Sequence, residues 1–323
     1  MVSGSSLARP ITATADERHG VPTDSAVLTY RYLRMMLAIP AVFIAVAAAL
    51  EAHSSGQFRE SISDYYQGPV RDVFVGGLMA SAVCMIAYKG ESKLEDYSLD
   101  FAGFNAFFVA LVPNNFTAVL ASAPAESSSS GTEPLSKQQL LDNLHLVLVA
   151  FLVTALLYLV LDVLIMHWTK YNWREQAWRS MVLVVLAWVA ELAFVVLVVA
   201  PLVLFDRETA FGSSIFKLIH FGAAALLIID LSFAVASNAW PGVLRTASEP
   251  RNTPQPVRRT YVAIALLMWL GLIVGGSLIA GHVRWAVITT EYYEITLFVA
   301  FWVVSTRQAW RGFTPLKQPD RRT

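Results

Sequence analysis

The sequence predicts an all-α membrane protein: a polytopic transmembrane helix bundle of about eight spans with both termini in the cytoplasm. Three observations predict it. Of 323 residues, 56% are hydrophobic and only 15% charged, whereas a soluble domain carries about 25% charged residues. The charges sit in short linkers between long apolar runs, the pattern of a chain whose solvent is lipid. The basic residues also alternate between the two sides that those linkers define.

A bilayer-spanning helix needs about 20 mostly apolar residues. Eight runs approach this: Leu33–Leu50, Val73–Tyr88, Leu99–Leu120, Leu144–Met166, Met181–Phe205, Ile215–Ala236, Tyr261–Ala280 and Trp285–Val304. Lipid cannot satisfy free backbone groups, so each run is expected to be helical. The second is short and brings Arg71 and Asp72 to the interface. Pro113-Asn114-Asn115 interrupts the third. The eighth carries Glu291 and Glu294. No run alternates with a period of two, which excludes a transmembrane barrel.

With the N-terminus in the cytoplasm, the cytoplasmic segments hold 18 of the 24 Lys and Arg residues and the opposite linkers hold 6. The positive-inside rule places both ends in the cytoplasm, and a bacterial plasma membrane suits this reading. Residues 1–30, polar and without apolar periodicity, are expected as a disordered cytoplasmic tail, 31–306 as the transmembrane domain and 307–323 as a second tail. Ala47-Ala48-Ala49 has the form of a signal-peptidase site. The segment before it exceeds 30 residues, too long for a secretory n-region, so an uncleaved first helix is expected.

The formal net charge is zero, which removes electrostatic support for a nucleic-acid partner. Cys84 is the one cysteine, so no internal disulfide forms, and a small buried helix residue is expected there. The Ser-rich linker Ala121–Gln139 reads as flexible. The linker Ser237–Thr260, with its four arginines, reads as a solvated, topology-setting loop. Asn115-Phe116-Thr117 fits a glycosylation acceptor, but abuts the third helix.

The richest polar stretch lies between the first two spans: Ser61-Ile62-Ser63-Asp64-Tyr65-Tyr66, then Arg71-Asp72-Val73-Phe74-Val75-Gly76. Ser and Asp suit local backbone caps. Phe58, Ile62, Tyr65 and Tyr66 lose free energy if left in water. An ordered cap over the bundle's outer mouth is expected.

These two motifs, with Tyr88-Lys89-Gly90 after them, resemble the signature of a family of bacterial multi-pass membrane proteins of unknown activity. The likeness continues through Ala102-Gly103 and Val109-Ala110-Leu111-Val112-Pro113, and touches Ile219-His220-Phe221 and Tyr293-Glu294. A more distant likeness, in layout and in the Ile-Ser-Asp element, is to the damage-regulated autophagy modulator (DRAM) group. Those relatives have about six spans. The resemblance thus implies that the fourth and fifth helices are an addition. It implies no reaction and no catalytic residues.

Ionisable groups in a bilayer are costly and default to functional hypotheses. The topology puts Asp72, His145, His220, Glu291 and Glu294 in the outer half, with His282 and Arg284 at the rim. Glu191 falls near mid-membrane, with Asp162 and Asp230 deeper. Glu291 and Glu294 are three apart, hence on one helical face. The candidate ligand-binding residues are Ser61, Ser63, Asp64, Tyr65, Tyr66, Arg71, Asp72, His145, Glu191, His220, Glu291 and Glu294. No cofactor is expected. Zinc is the alternative, held by histidines and carboxylates from different helices, although no short ligand spacing such as His-x-x-x-His occurs. Gly271-Leu272-Ile273-Val274-Gly275 is a small-xxx-small pattern for close helix approach, to a neighbour or to a second copy in a homo-oligomer. Tryptophans near the helix ends, including Trp168, Trp173, Trp178, Trp240, Trp285 and Trp310, suit interfacial anchoring.

The favoured function is non-enzymatic: binding or sensing of a membrane lipid, small ligand or membrane partner. A proton- or cation-coupled transporter is the second, carried by Glu191, Glu291, Glu294 and the histidines, although no inverted repeat is seen. The third is a metal-dependent intramembrane hydrolase. Its Ser, Asp and His inventory is similar to that of ceramidase-like and adiponectin-receptor-like enzymes, but the paired histidines of their last helix are absent. A retinal protein is disfavoured, because no lysine lies mid-helix.

Overall fold

The computed structural model describes residues 24–67, 70–112, 114, 116–124, 135–168, 178–204, 215–245 and 255–311. Eight long helices account for most of them: α1 (Asp24–Ser55), α2 (Arg71–Ala87), α3 (Lys93–Leu111), α4 (Lys137–Trp168), α5 (Trp178–Leu204), α6 (Ile215–Ala239), α7 (Gln255–Ala280) and α8 (Ala286–Arg311). A 3-10 turn covers Ile62–Gln67, and short helices cover Phe116–Ser122 and Pro241–Leu244. Each apolar run is helical over its described length, apart from run ends and a break after Leu111 in the third. α1 begins at Asp24, inside the stretch expected to be tail. α8 likewise runs to Arg311, into the stretch expected to be C-terminal tail. Residues 1–23, most of the Ser-rich linker, residues 246–254 and residues 312–323 lie outside the described residues.

Local chemistry sets the ends of α3. Ser92 is its N-cap, with its side chain accepting from the Glu95 backbone N–H at 3.2 Å, and Glu95 in turn accepts from the Glu91 N–H at 2.9 Å. This Ser-x-x-Glu arrangement starts the helix at Lys93, six residues before the apolar run. Val112, which precedes Pro113, is extended at φ −101°, ψ 105°, because proline disfavours the helical region in the residue before it.

Among the described residues, seven helical segments are long and apolar enough to cross a bilayer. At 17 residues, α2 spans about 25 Å and falls just short. Its ends nonetheless meet opposite ends of the bundle. Its start follows the 3-10 turn, while Tyr88, just past its end, stacks on Tyr30 of α1 at 4.9 Å and meets Trp302 of α8 edge-on at 5.0 Å. Many large apolar side chains face outward, among them Phe43, Leu156, Leu192, Leu270 and Ile273. Such a perimeter is stable against hydrocarbon and not against water. The protein is therefore a helical, membrane-embedded bundle.

Six helices close a ring: α1 packs on α2, α2 on α3, α3 on α6, α6 on α7, α7 on α8, and α8 back on α1. α4 and α5 stand outside it, both against α3. Phe151 of α4 sits among Phe104, Phe107 and Phe108, with ring centroids 5.0 to 5.3 Å apart. From α5, Phe194 meets Phe108 at 5.1 Å and Trp188 meets Phe101 at 5.0 Å. Offset and edge-to-face aromatic pairs of this kind supply specific packing in lipid, where the hydrophobic effect offers none between helices.

Gly271 and Gly275 make their close approach within the chain. A Cβ at Gly271 would strike Glu294 Oε1 and the Tyr293 ring, and one at Gly275 would strike Thr290. All three neighbours belong to α8. The small-residue face, expected to let α7 approach a neighbouring helix or a second copy, here seats α8 against α7, and it leaves room for the Glu294 carboxyl.

Candidate functional site

The segment between α1 and α2 folds over one end of the ring and is fastened chiefly by α8. Glu291 accepts from Ser61 Oγ and from the Ile62 backbone N–H, both at 2.6 Å. The hydroxyl of Ser61 has one proton and gives it to Glu291. Ser63 Oγ, 2.7 Å from Ser61 Oγ, must therefore donate to it. The Ile288 N–H donates to the Glu60 carbonyl at 2.9 Å. Asp64 accepts from Asn114 Nδ2 at 3.1 Å. Burial lifts its carboxyl above the usual range, and the Asn114 hydrogen bond and the Arg59 charge pull it back. Tyr65 is buried, and its hydroxyl accepts from the Arg59 N–H at 3.3 Å. The expected ordered cap is present, built from backbone and carboxylate bonds.

Under the cap lies a cavity of about 160 Å³. All six ring helices line it, together with Ile62 and Ser63 from the cap. Most of the wall is aliphatic or aromatic, with Ile44, Phe74, Leu78, Leu227 and Phe298 among the lining residues. Its polar groups are few: Ser63, Ser81, His220, Glu291 and Glu294.

These groups differ in their bonding. Glu291 is held by the cap. His220, buried, places Nδ1 2.6 Å from the Val112 carbonyl. A carbonyl only accepts, so Nδ1 carries the proton, and Nε2 of the neutral ring is left as an acceptor. Glu294 is 5% exposed, and among the described residues neither of its oxygens has a hydrogen-bond partner. An unpaired buried carboxyl costs several kcal/mol or more. It persists where something else provides a partner or a function.

The expected site residues divide accordingly. Ser63, His220, Glu291 and Glu294 line the chamber, with Ser61, Asp64 and Tyr65 holding the cap above it. The Tyr66 side chain lies outside the described residues. Arg71 and Asp72 do not join the site. Both are exposed in the first turn of α2, where an acid complements the helix dipole. His145 is half-buried on α4, outside the ring, and does not line the chamber. Among the described residues, no three of His, Cys, Asp and Glu converge as metal ligands would. The expected level of histidines and carboxylates is divided between ring and perimeter.

Glu191 belongs to a separate buried group. Asn105 Nδ2 of α3 donates to Glu191 Oε1 at 2.5 Å and to Asp230 Oδ2 of α6 at 3.2 Å. All three residues are buried. They tie α5 to the ring, as interhelical polar contacts in lipid do.

Sequence reasoning also missed a seam at the opposite end of the ring. Arg245 is 1% exposed. It donates to Glu91 at 2.9 Å and to Asn238 Oδ1 at 2.8 Å, with Glu95 at 3.7 Å. Arg34 donates to the Ser305 carbonyl at 3.1 Å and lies 3.9 Å from Glu91. Arg245 falls in the linker read as solvated, and burial overturns that reading. The signal available was Ser92-x-x-Glu95, which marks a folded turn where Arg245 could dock. The chain matches no known family model, no curated protein and no solved structure.

Proposed function

We propose that this is a bacterial plasma-membrane protein of eight spans, both ends cytoplasmic, whose ring binds a small, mostly apolar ligand beneath the cap. Binding or sensing, rather than catalysis, is the role. The observation that carries the reading is the capped chamber itself. Ligand sites are concave, mostly apolar and furnished with a few convergent polar groups. The likeness to the Ser-Ile-Ser-x-Tyr-Tyr family and, more remotely, to the DRAM group forms part of the proposal. The first signature motif forms the cap, and Tyr88-Lys89-Gly90 enters the opposite seam.

The size is informative. An engineered cavity of about 150 Å³ holds benzene. The 160 Å³ chamber therefore suits a ligand of about six to eight non-hydrogen atoms, or the end of a longer one. Fluorobenzene followed by fluorine NMR on protein in nanodiscs tests this. Saturable binding at about 1 mM or tighter is expected, corresponding to about −4 kcal/mol. Ala224→Phe, which fills the chamber, should abolish it. Equal signals from both proteins would mean that the probe sits in the lipid, and would remove the chamber as a site.

Topology has its own test. In a Cys84→Ala background, cysteines at Ser54 and Lys89 lie at opposite ends of the bundle, both exposed. An impermeant maleimide on intact cells should label position 54 and not position 89. The reverse pattern would invert the protein in the membrane.

A further inference from the structure

We propose that the ligand is a small primary amine, its ammonium group seated on Glu294 and its apolar body packed against the ring helices. This rests on the chamber reading and adds the chemical class. Several independent features select it. Glu294 is buried in the chamber wall, and among the described residues neither of its oxygens has a hydrogen-bond partner. Of the other polar groups, Ser81 brings one neutral hydroxyl that can donate or accept, and the remaining three provide no donor. Both Glu291 oxygens are occupied by the cap. The His220 ring donates away, to Val112, and offers an acceptor in return. Ser63 directs its proton to Ser61.

No Lys or Arg is among the chamber's lining residues, so nothing there balances a carboxylate. The lining is thus acceptor-rich and, among the described residues, holds no positive charge. An ammonium supplies three N–H donors and the missing positive charge together. An alcohol supplies one donor and no charge, and a carboxylic acid or phosphate would meet like charge. A bare metal ion is also disfavoured, because it would leave the apolar walls unfilled and find too few oxygen ligands. Gly271 contributes by its missing side chain. Any Cβ there would occupy the place of the Glu294 carboxyl, so the glycine keeps the acid where the chamber can use it.

Three probes of one shape test the assignment: benzylamine, benzyl alcohol and benzoate, titrated into the full-length protein in nanodiscs by calorimetry. Wild type should bind benzylamine at least about tenfold more tightly than benzyl alcohol, as one charge-assisted bond implies, and should not bind benzoate. In Glu294→Gln the preference for the amine should fall below about threefold, with benzyl alcohol affinity retained. The wild-type comparison needs no variant, so it stands even if Glu294→Gln fails to fold. Equal affinity for the amine and the alcohol in wild type would overturn the amine assignment, and so would a full preference retained by Glu294→Gln. In both cases fluorobenzene binding, and with it the chamber, would survive. Loss of all binding, fluorobenzene included, would instead sink the chamber reading from which the assignment starts.

Discussion

Arg245→Met is expected to be the most damaging single substitution in the protein, costing about 3–5 kcal/mol. The guanidinium is buried and holds Glu91, Glu95 and Asn238 from two other segments of chain. Removing it leaves Glu95 buried without a cation, while Glu91, more exposed, keeps Arg34 at 3.9 Å. The loss is larger than the pair's net worth, because the abandoned Glu95 remains desolvated. Thermal unfolding in detergent reads the effect. A double variant, Arg245→Met with Glu95→Gln, should recover part of the loss, since it removes the orphaned charge along with the cation. Additive losses in the double variant would show that Arg245 acts by packing rather than by charge.

Glu291→Leu is expected to release the cap. It deletes the acceptor for Ser61 Oγ and the Ile62 N–H, both bound at 2.6 Å. Each abandoned donor costs about 1–3 kcal/mol, more when its partner was charged. The loss is local, because the helices beneath are held by other contacts. Hydrogen exchange at residues 60–65 should accelerate by about a hundredfold, while α3 and α6 keep their protection. Glu291→Gln, which keeps one acceptor oxygen, should fall between. Unchanged protection in Glu291→Leu would mean that Asp64–Asn114 and Ile288–Glu60 suffice to hold the segment.

The cap shows how far composition reaches. Ile62 and Tyr65 in a stretch rich in serine predicted order, and both are buried. Spacing also sufficed for Glu291 and Glu294: three residues apart in a helix, they share a face, and both line the chamber. The same reasoning did not place Arg71 and Asp72, because both sit exposed in the first turn of α2 and outside the chamber lining. It failed for His145, whose helix lies outside the ring.

By itself the sequence determines the solvent of this protein and the helices that solvent demands. Apolar runs of bilayer length permit little else, and Pro113 and Ser92 set helix ends through contacts a few residues long. Which helices enclose a chamber was decided only by tertiary structure. Every span reads as apolar, and although the perimeter helices α4 and α5 are the most apolar of them, hydropathy does not say which helices pack together or enclose a chamber. That choice rests on shape and on single polar pairings across long separations: Gly271 making room for Glu294, Glu291 reaching back to Ser61, Arg245 to Glu91. Each is a contact between residues whose individual identities are ordinary. Their meaning arises only where the fold brings them together.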